Sequence, residues 1–154
     1  MPYDRNAAVR YAEKWALSRN PDFYDFENIG GDCTNFISQC LFAGSGVMNY
    51  RKWFYDSLSS RSPSWSSVEL LHDFLIENTG AGPGGHETDI SSMKPGDVIQ
   101  LSFDGVHYEH SLMVVTAGSP PLSENIEICA HTYDSLNRKL LTYSYISARF
   151  ISIF

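Results

Sequence analysis

Residues 30–40 read GGDCTNFISQC, and this stretch decides how the rest of the chain is interpreted. Two glycines form a turn, Asp32 is a residue type that favours helix N-caps, and the apolar residues that follow lie on one helical stripe. Cys33 therefore opens a helix, where unpaired backbone N–H groups and the positive end of the helix dipole favour an anion. Such a position lowers the pKa of a thiol, so the pattern predicts a reactive thiolate at Cys33.

Two other helices are predicted around this one. The first begins at the N-cap Asp4, carries apolar residues at spacings of three and four, and ends before Pro21. The third begins at Ser66 or Ser67 and ends at Gly80. The N-terminal half of the chain is therefore expected to be mainly helical.

Two segments follow neither a helical nor a β period. Residues 50–65 are rich in serine and aromatic side chains, and we interpret them as an irregular surface excursion. Residues 82–85, Gly-Pro-Gly-Gly, are expected to be the most flexible stretch. Neither segment has the character of a linker, so a single domain over residues 1–154 is expected.

The second half of the chain follows a β pattern. A Lys-Pro-Gly turn at residues 94–96 precedes segments rich in branched and aromatic residues. Helices first and strands afterwards predict an α+β domain, with the helices packed on one side of a largely antiparallel sheet. The predicted strands are residues 97–103, 110–117, 126–132 and 148–154, with a further candidate at 140–145.

The charge balance limits the classes of partner. The chain has 11 Lys and Arg against 18 Asp and Glu, a formal net charge of −7, whereas nucleic-acid and anionic-membrane surfaces need a basic field. We therefore expect neither a nucleic-acid nor a membrane partner. The first residues lack the basic and apolar layout of a secretory signal. The protein is expected to be cytoplasmic, or extracellular or in the cell wall if it is a domain of a larger exported protein.

The three cysteines are too few for a disulfide scaffold, and an odd number leaves at least one thiol free. Cys33 and Cys40 are about 10 Å apart along a helix at roughly 1.5 Å per residue, which is too far for a disulfide. Cys40 and Cys129 lie among apolar neighbours and are interpreted as small core residues. Cys33 is left as the thiol with a chemical reason to be free, although a buried structural cysteine is an equally good reading of it alone.

Two histidines lie at predicted strand ends. His110 begins one strand and His131 ends another, and in an antiparallel pair such ends are adjacent. His110 is therefore a candidate general base for Cys33, and His131 a candidate to orient the His110 ring. Asp134 and Asn137 remain open as alternative orienting residues.

A metal site is a weaker interpretation of the histidines. His107 and His110 have a spacing that would suit a metal on a helix, but the surrounding residues predict a turn and a strand. No Cys or carboxylate pair supplies a third and fourth ligand. No metal and no organic cofactor are therefore expected.

Motifs along nearly the whole chain resemble the bacterial Putative amidase domain family. The matching stretches are NAAVRYA at 6–12, RNP at 19–21, GGDCTNFISQC at 30–40, KPGDVIQ at 94–100, HS at 110–111 and AHT at 130–132, with NR at 137–138. The most specific of them is the block from Gly30 to Phe36. The family is similar to the papain-like cell-wall peptidases, namely the NlpC-type endopeptidases and the CHAP amidases.

The resemblance implies a papain-like cysteine hydrolase. Cys33 would be the nucleophile, His110 the base and His131 the orienting residue. Asp32 would cap the helix and, as in similar endopeptidases, could receive a substrate α-amino group. The implied reaction is hydrolysis of an amide in a short peptide, most plausibly the stem peptide of peptidoglycan.

Three other functions remain open from the sequence. A transglutaminase-like acyltransferase would use the same Cys and His chemistry but pass the acyl group to an amine. A catalytically silent peptide- or cell-wall-binding module would keep the cleft without turnover. An intracellular structural domain would bury the Cys33 thiol.

Overall fold

A computed structural model describes residues 2–154, so Met1 of the predicted domain lies outside the described residues. The predicted α+β class is confirmed, with three α-helices and antiparallel sheets. The helices are α1 (Arg5–Trp15), α2 (Cys33–Ser45) and α3 (Val68–Glu77). The strands are β1 (Tyr55–Ser57), β2 (Ser60–Arg61), β3 (Gly85–Thr88), β4 (Val98–Ser102), β5 (His110–Thr116), β6 (Glu127–Ala130), β7 (Ser135–Lys139) and β8 (Ser147–Ile153).

The main sheet has six strands in the order β3-β8-β4-β5-β6-β7, and every pair is antiparallel. Because side chains alternate along a strand, the sheet buries two apolar layers. Met113 and Cys129 belong to the layer packed against α1 and α2. Leu112 and Ala130 belong to the layer on the opposite face, which the 3₁₀ turn at Leu140–Thr142 covers. The start of β5 lies at the centre of this sheet.

The helix ends follow the local chemistry of their sequences. The Asp4 side chain accepts a hydrogen bond from the Ala7 N–H at 3.0 Å and caps α1. Ser67 caps α3 in the same way through the Leu70 N–H. Gly46 ends α2 in the left-handed conformation, at φ 73°, which glycine adopts without steric cost.

The segment 50–65 is not the surface excursion that its lack of period predicted. It forms the β1–β2 hairpin and a 3₁₀ turn at Pro63–Trp65, and it packs onto α2. Trp53 and Trp65 are fully buried with ring centroids 4.7 Å apart. The Trp53 indole N–H donates to Ser38 on α2 at 3.1 Å. Burial of these large aromatic surfaces orders the segment although its sequence has no regular period.

Two strands of the main sheet were not predicted, and one candidate strand does not form. The glycine-rich stretch leads directly into β3, an edge strand that pairs only with β8. β7, with the sequence SLNRK, is the opposite edge and was missed because its residues are mostly polar and exposed. The segment 140–145 begins with a 3₁₀ turn rather than a strand. Edge strands carry little hydrophobic periodicity, since one side of each strand meets solvent.

The Lys-Pro-Gly turn before β4 fixes the first helix to the sheet. Asp97, which follows it, is buried, and its Oδ1 accepts from Arg5 Nη1 at 2.7 Å and from the Ile153 N–H at 2.9 Å. Gly96 has a φ of 94° and packs closely on Arg5, so both the turn and the contact require glycine. This anchor holds the helical layer in register with the centre of the sheet.

Candidate active site

Cys33 is the first residue of α2, and its thiol points at the start of β5. Sγ lies 3.9 Å from the carbonyl oxygen of Glu109, to which the thiol donates, and 3.7 Å from Thr34 Oγ1. Glu109 is the residue immediately before His110. The fold therefore places the predicted nucleophile against the strand end that carries the predicted base.

A buried polar network holds these two elements together. Thr34 Oγ1 and Ser111 Oγ are 3.0 Å apart, which links the first turn of α2 to the second residue of β5. Gln100 on β4 donates to the same Ser111 hydroxyl at 3.1 Å, and Arg149 on β8 donates to Gln100 at 2.8 Å. A satisfied buried network of this kind fixes side chains more rigidly than apolar packing alone. It locks the helix start that carries Cys33 against the strand start that carries His110.

The Cys33 thiol is not the thiolate that the helix N-terminus predicted. Only 7% of the residue is exposed, and burial raises the pKa of the Cys33 thiol above its ordinary value. Hydrogen bonds from the backbone of Ser111 and from Thr34 act in the opposite direction but do not overcome burial. Desolvation penalises the charged form more than the helix dipole favours it. At neutral pH Cys33 is therefore a protonated thiol that needs a base.

His110 is neutral over the physiological pH range. Burial lowers the pKa of His110 to about 4, and the positive charge of Arg138 contributes to the decrease. Within residues 2–154 neither ring nitrogen of His110 makes a hydrogen bond, and its nearest aromatic neighbour is Tyr143, with ring centroids 5.7 Å apart. A neutral imidazole with a free nitrogen can accept a proton, which is the property that a general base requires.

His110 opens onto a cleft of about 740 Å³. Burial raises the pKa of the Tyr143 phenol, and the Tyr143 ring lies beside His110. The cleft is mostly apolar, and the His110 side chain in its wall is buried. The lining residues are Phe103, Glu109, His110, Thr132, Tyr133, Arg138, Thr142, Tyr143 and Ser144.

The predicted pairing of His131 with His110 does not form. His131 Nδ1 lies 2.5 Å from Asp32 Oδ2, and Nε2 lies 2.8 Å from the carbonyl oxygen of Trp15. The ring also stacks on Phe36, with centroids 3.9 Å apart. Both nitrogens are therefore used, and none remains for His110.

Strand geometry explains this correction. His131 follows Ala130 at the end of β6 and points to the same side as Cys129, toward the helices. His110 shares its side of β5 with Leu112, on the face away from the helices. The two strand ends are neighbours, as expected, but the two rings lie on opposite faces of the sheet.

Asp32 also differs from its prediction. It occupies the N-cap position of α2, but its side chain makes no capping hydrogen bond. Oδ1 instead accepts from the Phe26 N–H and from Asn35 Nδ2, both at 2.8 Å, while Oδ2 pairs with His131. The residue is 0% exposed, so its carboxylate is not open to a substrate amino group. A buried carboxylate needs several donors, and here the protein itself supplies them.

The two alternative orienting residues do not contact His110 either. Asp134 pairs with Arg19 at 2.9 Å on the surface. Asn137 on β7 accepts a weak hydrogen bond from the Cys129 thiol at 3.9 Å. None of the residues proposed from the sequence orients His110, whose ring is positioned by packing beside Tyr143.

Two cleft residues were missed by sequence reasoning. Arg138 lies with its guanidinium carbon 3.7 Å from the centroid of the Tyr143 ring, and both side chains line the cleft beside His110. The Asn-Arg pair at 137–138 was visible in the sequence, but nothing indicated that β7 would bring it next to the start of β5. Tyr143 carried no signal beyond its place in an apolar segment.

Two further properties concern metals and membranes. Within residues 2–154 no group of three or more His, Cys, Asp or Glu side chains is arranged to hold a metal ion. His107, the other member of the spacing considered above, is exposed and bonds to Asp104 at 2.9 Å. No helix in the described range is long and apolar enough to cross a bilayer.

Comparison with known proteins identifies the family. The sequence profile of the Putative amidase domain family matches residues 2–154. The chain belongs to this family. It is 36% identical over 143 residues to the uncharacterized protein YhbB of Bacillus subtilis, covering 88% of this chain and 43% of that protein. It is 24% identical over 155 aligned residues to the uncharacterized protein YjcM of the same organism, covering 96% of this chain and 34% of that protein.

The chain therefore spans less than half the length of these curated relatives. No solved structure matches the chain significantly. Membership of the family supports an amidase and hence a hydrolase at the level of reaction class. The type of amidase has to be argued from the site.

Proposed function

We propose that the protein is a cysteine hydrolase that cleaves an amide bond in a short peptide. The observation that carries this proposal is the contact of the Cys33 thiol with the backbone at Glu109, the residue before His110, at the edge of the cleft. A thiol nucleophile, a neutral imidazole and an apolar cleft are the groups that acyl transfer through a thioester requires. The papain-like character of the domain is part of this proposal.

The protonation states of Cys33 and His110 define how the reaction starts. Cys33 is protonated and His110 is neutral at pH 7, so the pair does not rest as a thiolate and an imidazolium. As sulfur attacks the amide carbonyl carbon, the thiol proton passes to a ring nitrogen of His110. Backbone N–H groups in the first turn of α2, which have no partners inside the helix, stabilise the developing oxyanion.

The second half of the reaction returns the enzyme to its starting state. His110 donates its proton to the nitrogen of the leaving amine as the C–N bond breaks, which leaves a thioester on Cys33. Water then attacks the thioester, and His110 accepts a proton from that water. The acid product leaves, and the proton returns to the Cys33 sulfur.

We propose the stem peptide of peptidoglycan as the substrate, by analogy with NlpC-type and CHAP enzymes. A cleft with apolar aromatic walls suits an extended peptide chain. On this proposal the parent protein acts outside the cell or in the cell wall, as one domain of a longer exported chain. A nucleic acid or a membrane is not a partner in this proposal, in keeping with the net charge of −7.

The test uses purified muropeptides and mass spectrometry of the products. The wild-type protein should release two products whose summed mass exceeds the mass of the substrate by one water. Cys33→Ala should release neither product. Products that carry an added amine acceptor in place of water would instead establish an acyltransferase. Muropeptide binding that survives in Cys33→Ala, without turnover by the wild type, would overturn the proposal in favour of a binding module.

A further inference from the structure

Arg138 is held rigidly in the wall of the cleft. Its Nε donates to Thr142 Oγ1 at 2.7 Å, and its Nη2 donates to the Thr142 carbonyl at 3.2 Å. The guanidinium lies over the Tyr143 ring, which gives it a cation–π contact as a second support. These contacts fix the plane of the guanidinium and leave Nη1 without a hydrogen bond within residues 2–154.

The charge of Arg138 has no counter-ion in the described part of the chain. Three of the other arginines are paired, since Arg5 contacts Asp97, Arg149 contacts Glu69, and Arg19 contacts several carboxylates. Among the described arginines that form no ion pair, Arg138 is the one that lines the cleft. No carboxylate of residues 2–154 forms an ion pair with Arg138. An uncompensated cation in an acidic protein, at a largely apolar cleft, favours an anion from outside.

Tyr143 provides a second polar group beside it. The Tyr143 hydroxyl is buried and makes no hydrogen bond of ordinary geometry within the described residues, although Ser135 and Arg138 lie close enough to oppose the rise of its pKa. Buried polar groups are almost always paired, so a hydroxyl without a close partner in a cleft wall is free to donate to a ligand. Glu109 is the other charged residue of the cleft, and it would repel an anion from its own side.

We propose that Arg138, supported by Tyr143, binds a free carboxylate of the substrate. A guanidinium matches the planar geometry of a carboxylate, and the apolar walls of the cleft reduce the competition of water for the same N–H groups. This inference rests on the proposed function, because it takes the bound carboxylate to be part of the substrate. It refines the class of peptide that the protein cleaves. The peptides cleaved would carry an unblocked carboxylate within a few bonds of the scissile amide, and their carboxamide analogues would bind poorly.

Binding can be tested without turnover, by NMR with two small probes. N-acetylglycine carries a carboxylate, whereas N-acetylglycinamide is its neutral analogue. The acid should shift the backbone amide signals of Arg138 and Thr142 in a saturable manner, and the amide should bind at least about tenfold more weakly, a difference of about 1.4 kcal/mol. Arg138→Gln should lose the preference, and Arg138→Lys should keep part of it because it keeps the charge.

The matched control is Arg10→Gln, which removes an exposed arginine on α1 and should leave the preference unchanged. Equal shifts with acid and amide, no saturable shift, or an unchanged preference in Arg138→Gln would overturn the inference. The proposed function is checked separately by muropeptide turnover with the wild type and Cys33→Ala. A carboxylate site in a wild-type protein that cleaves no muropeptide would sustain this inference and contradict the hydrolase.

Discussion

Asp32 and Cys33 are consecutive residues at the start of α2, and each lies near a strand end that carries a histidine. The Asp32–His131 pair is fully buried, and its polar atoms bond to the backbone at Phe26 and Trp15 and to one another. Cys33 and His110 make few such bonds, His110 lines a cleft, and Cys33 contacts the backbone of Glu109, which lines the same cleft. The first pair uses its hydrogen-bonding capacity for the fold, and the second keeps that capacity for a reactant.

The difference shows how two histidines with similar sequence settings take different roles. Polar groups that are satisfied and sealed stabilise a structure, whereas polar groups left without partners in a cleft are available for chemistry. His131 ties the end of α1 to the start of α2, so it fixes the helix that carries Cys33. It supports the site through the start of α2, without a hydrogen bond to Cys33 or His110.

The largest effect should come from removing the nucleophile and leaving the second helix cysteine. Cys33→Ala should lower the turnover of muropeptides by at least about 1,000-fold, because no other group in the site can form the thioester. Cys40→Ala should keep turnover and lose about 1 kcal/mol of unfolding free energy, since Cys40 is a core residue. Progress curves and urea unfolding of both variants check this. Turnover retained by Cys33→Ala would contradict the assignment.

Substitution of His131 should lower the free energy of unfolding more than substitution of His110. His131→Gln should lower the unfolding free energy by about 3 kcal/mol, because the buried Asp32 carboxylate would lose its short hydrogen bond to the His131 ring. His110→Gln should lose about 1 kcal/mol or less, because its ring makes no hydrogen bond among the described residues. Urea unfolding at pH 7 measures both variants. Equal losses would show that the structural and reactive pairs are not distinct.

Acid should lower the free energy of unfolding through protonation of His110. The pKa of His110 is lowered to about 4 in the folded protein, whereas an unfolded histidine titrates near 6.5. The unfolded state therefore binds the proton first, so the His110 contribution is complete above about pH 6.5 and is lost as the pH falls toward 4. It amounts to as much as about 3 kcal/mol at 1.36 kcal/mol per pH unit.

This contribution is measured as the difference in unfolding free energy between the wild type and His110→Gln at each pH. The difference should shift against the wild type between about pH 6.5 and 4. The rate of turnover should have its acid limb in the same low range, near pH 4, because protonated His110 is no base. A difference that is flat over this interval would contradict a buried neutral His110.

The smallest effect should come from the charge beside His110. Arg138 is the second cause of the lowered pKa of His110, after burial. Arg138→Gln should therefore raise that pKa and move the acid limb of turnover to higher pH by a fraction of a unit. Titration of the His110 ring signals by NMR, with Arg138→Lys as the charge-preserving control, measures the shift. An unchanged His110 pKa in Arg138→Gln would place the guanidinium outside the electrostatic reach of the base.

Local patterns were sufficient to predict the parts of the site that depend on one element. The start of α2 at Cys33 follows from the glycines and Asp32, and the start of β5 at His110 follows from the branched residues after it. The burial of Cys40 and Cys129 was likewise predicted from their apolar neighbours and is confirmed. Each of these follows from residues adjacent in sequence.

The predictions that were wrong concern features that depend on tertiary structure. The prediction of a thiolate at Cys33 was wrong because the packing of β5 removes water from the start of α2. The sequence of α2 alone does not show this packing. The role of His131 was wrong because the face on which its ring lies depends on strand register, and β6 carries irregularities in its pairing with β5 and with β7. Residues 50–65 were misjudged because Trp53 and Trp65 are ordered by contacts with a distant helix.

The proposed mechanism requires Cys33 to form a thioester with the acyl part of the substrate. This thioester can be detected by mass spectrometry of the wild-type protein, acid-quenched within seconds of mixing with muropeptide and then digested. An added acyl mass should appear on the peptide that contains Cys33, none on the peptide that contains Cys129, and none at all in Cys33→Ala. Product release with no acyl mass on the Cys33 peptide at any time point would contradict it.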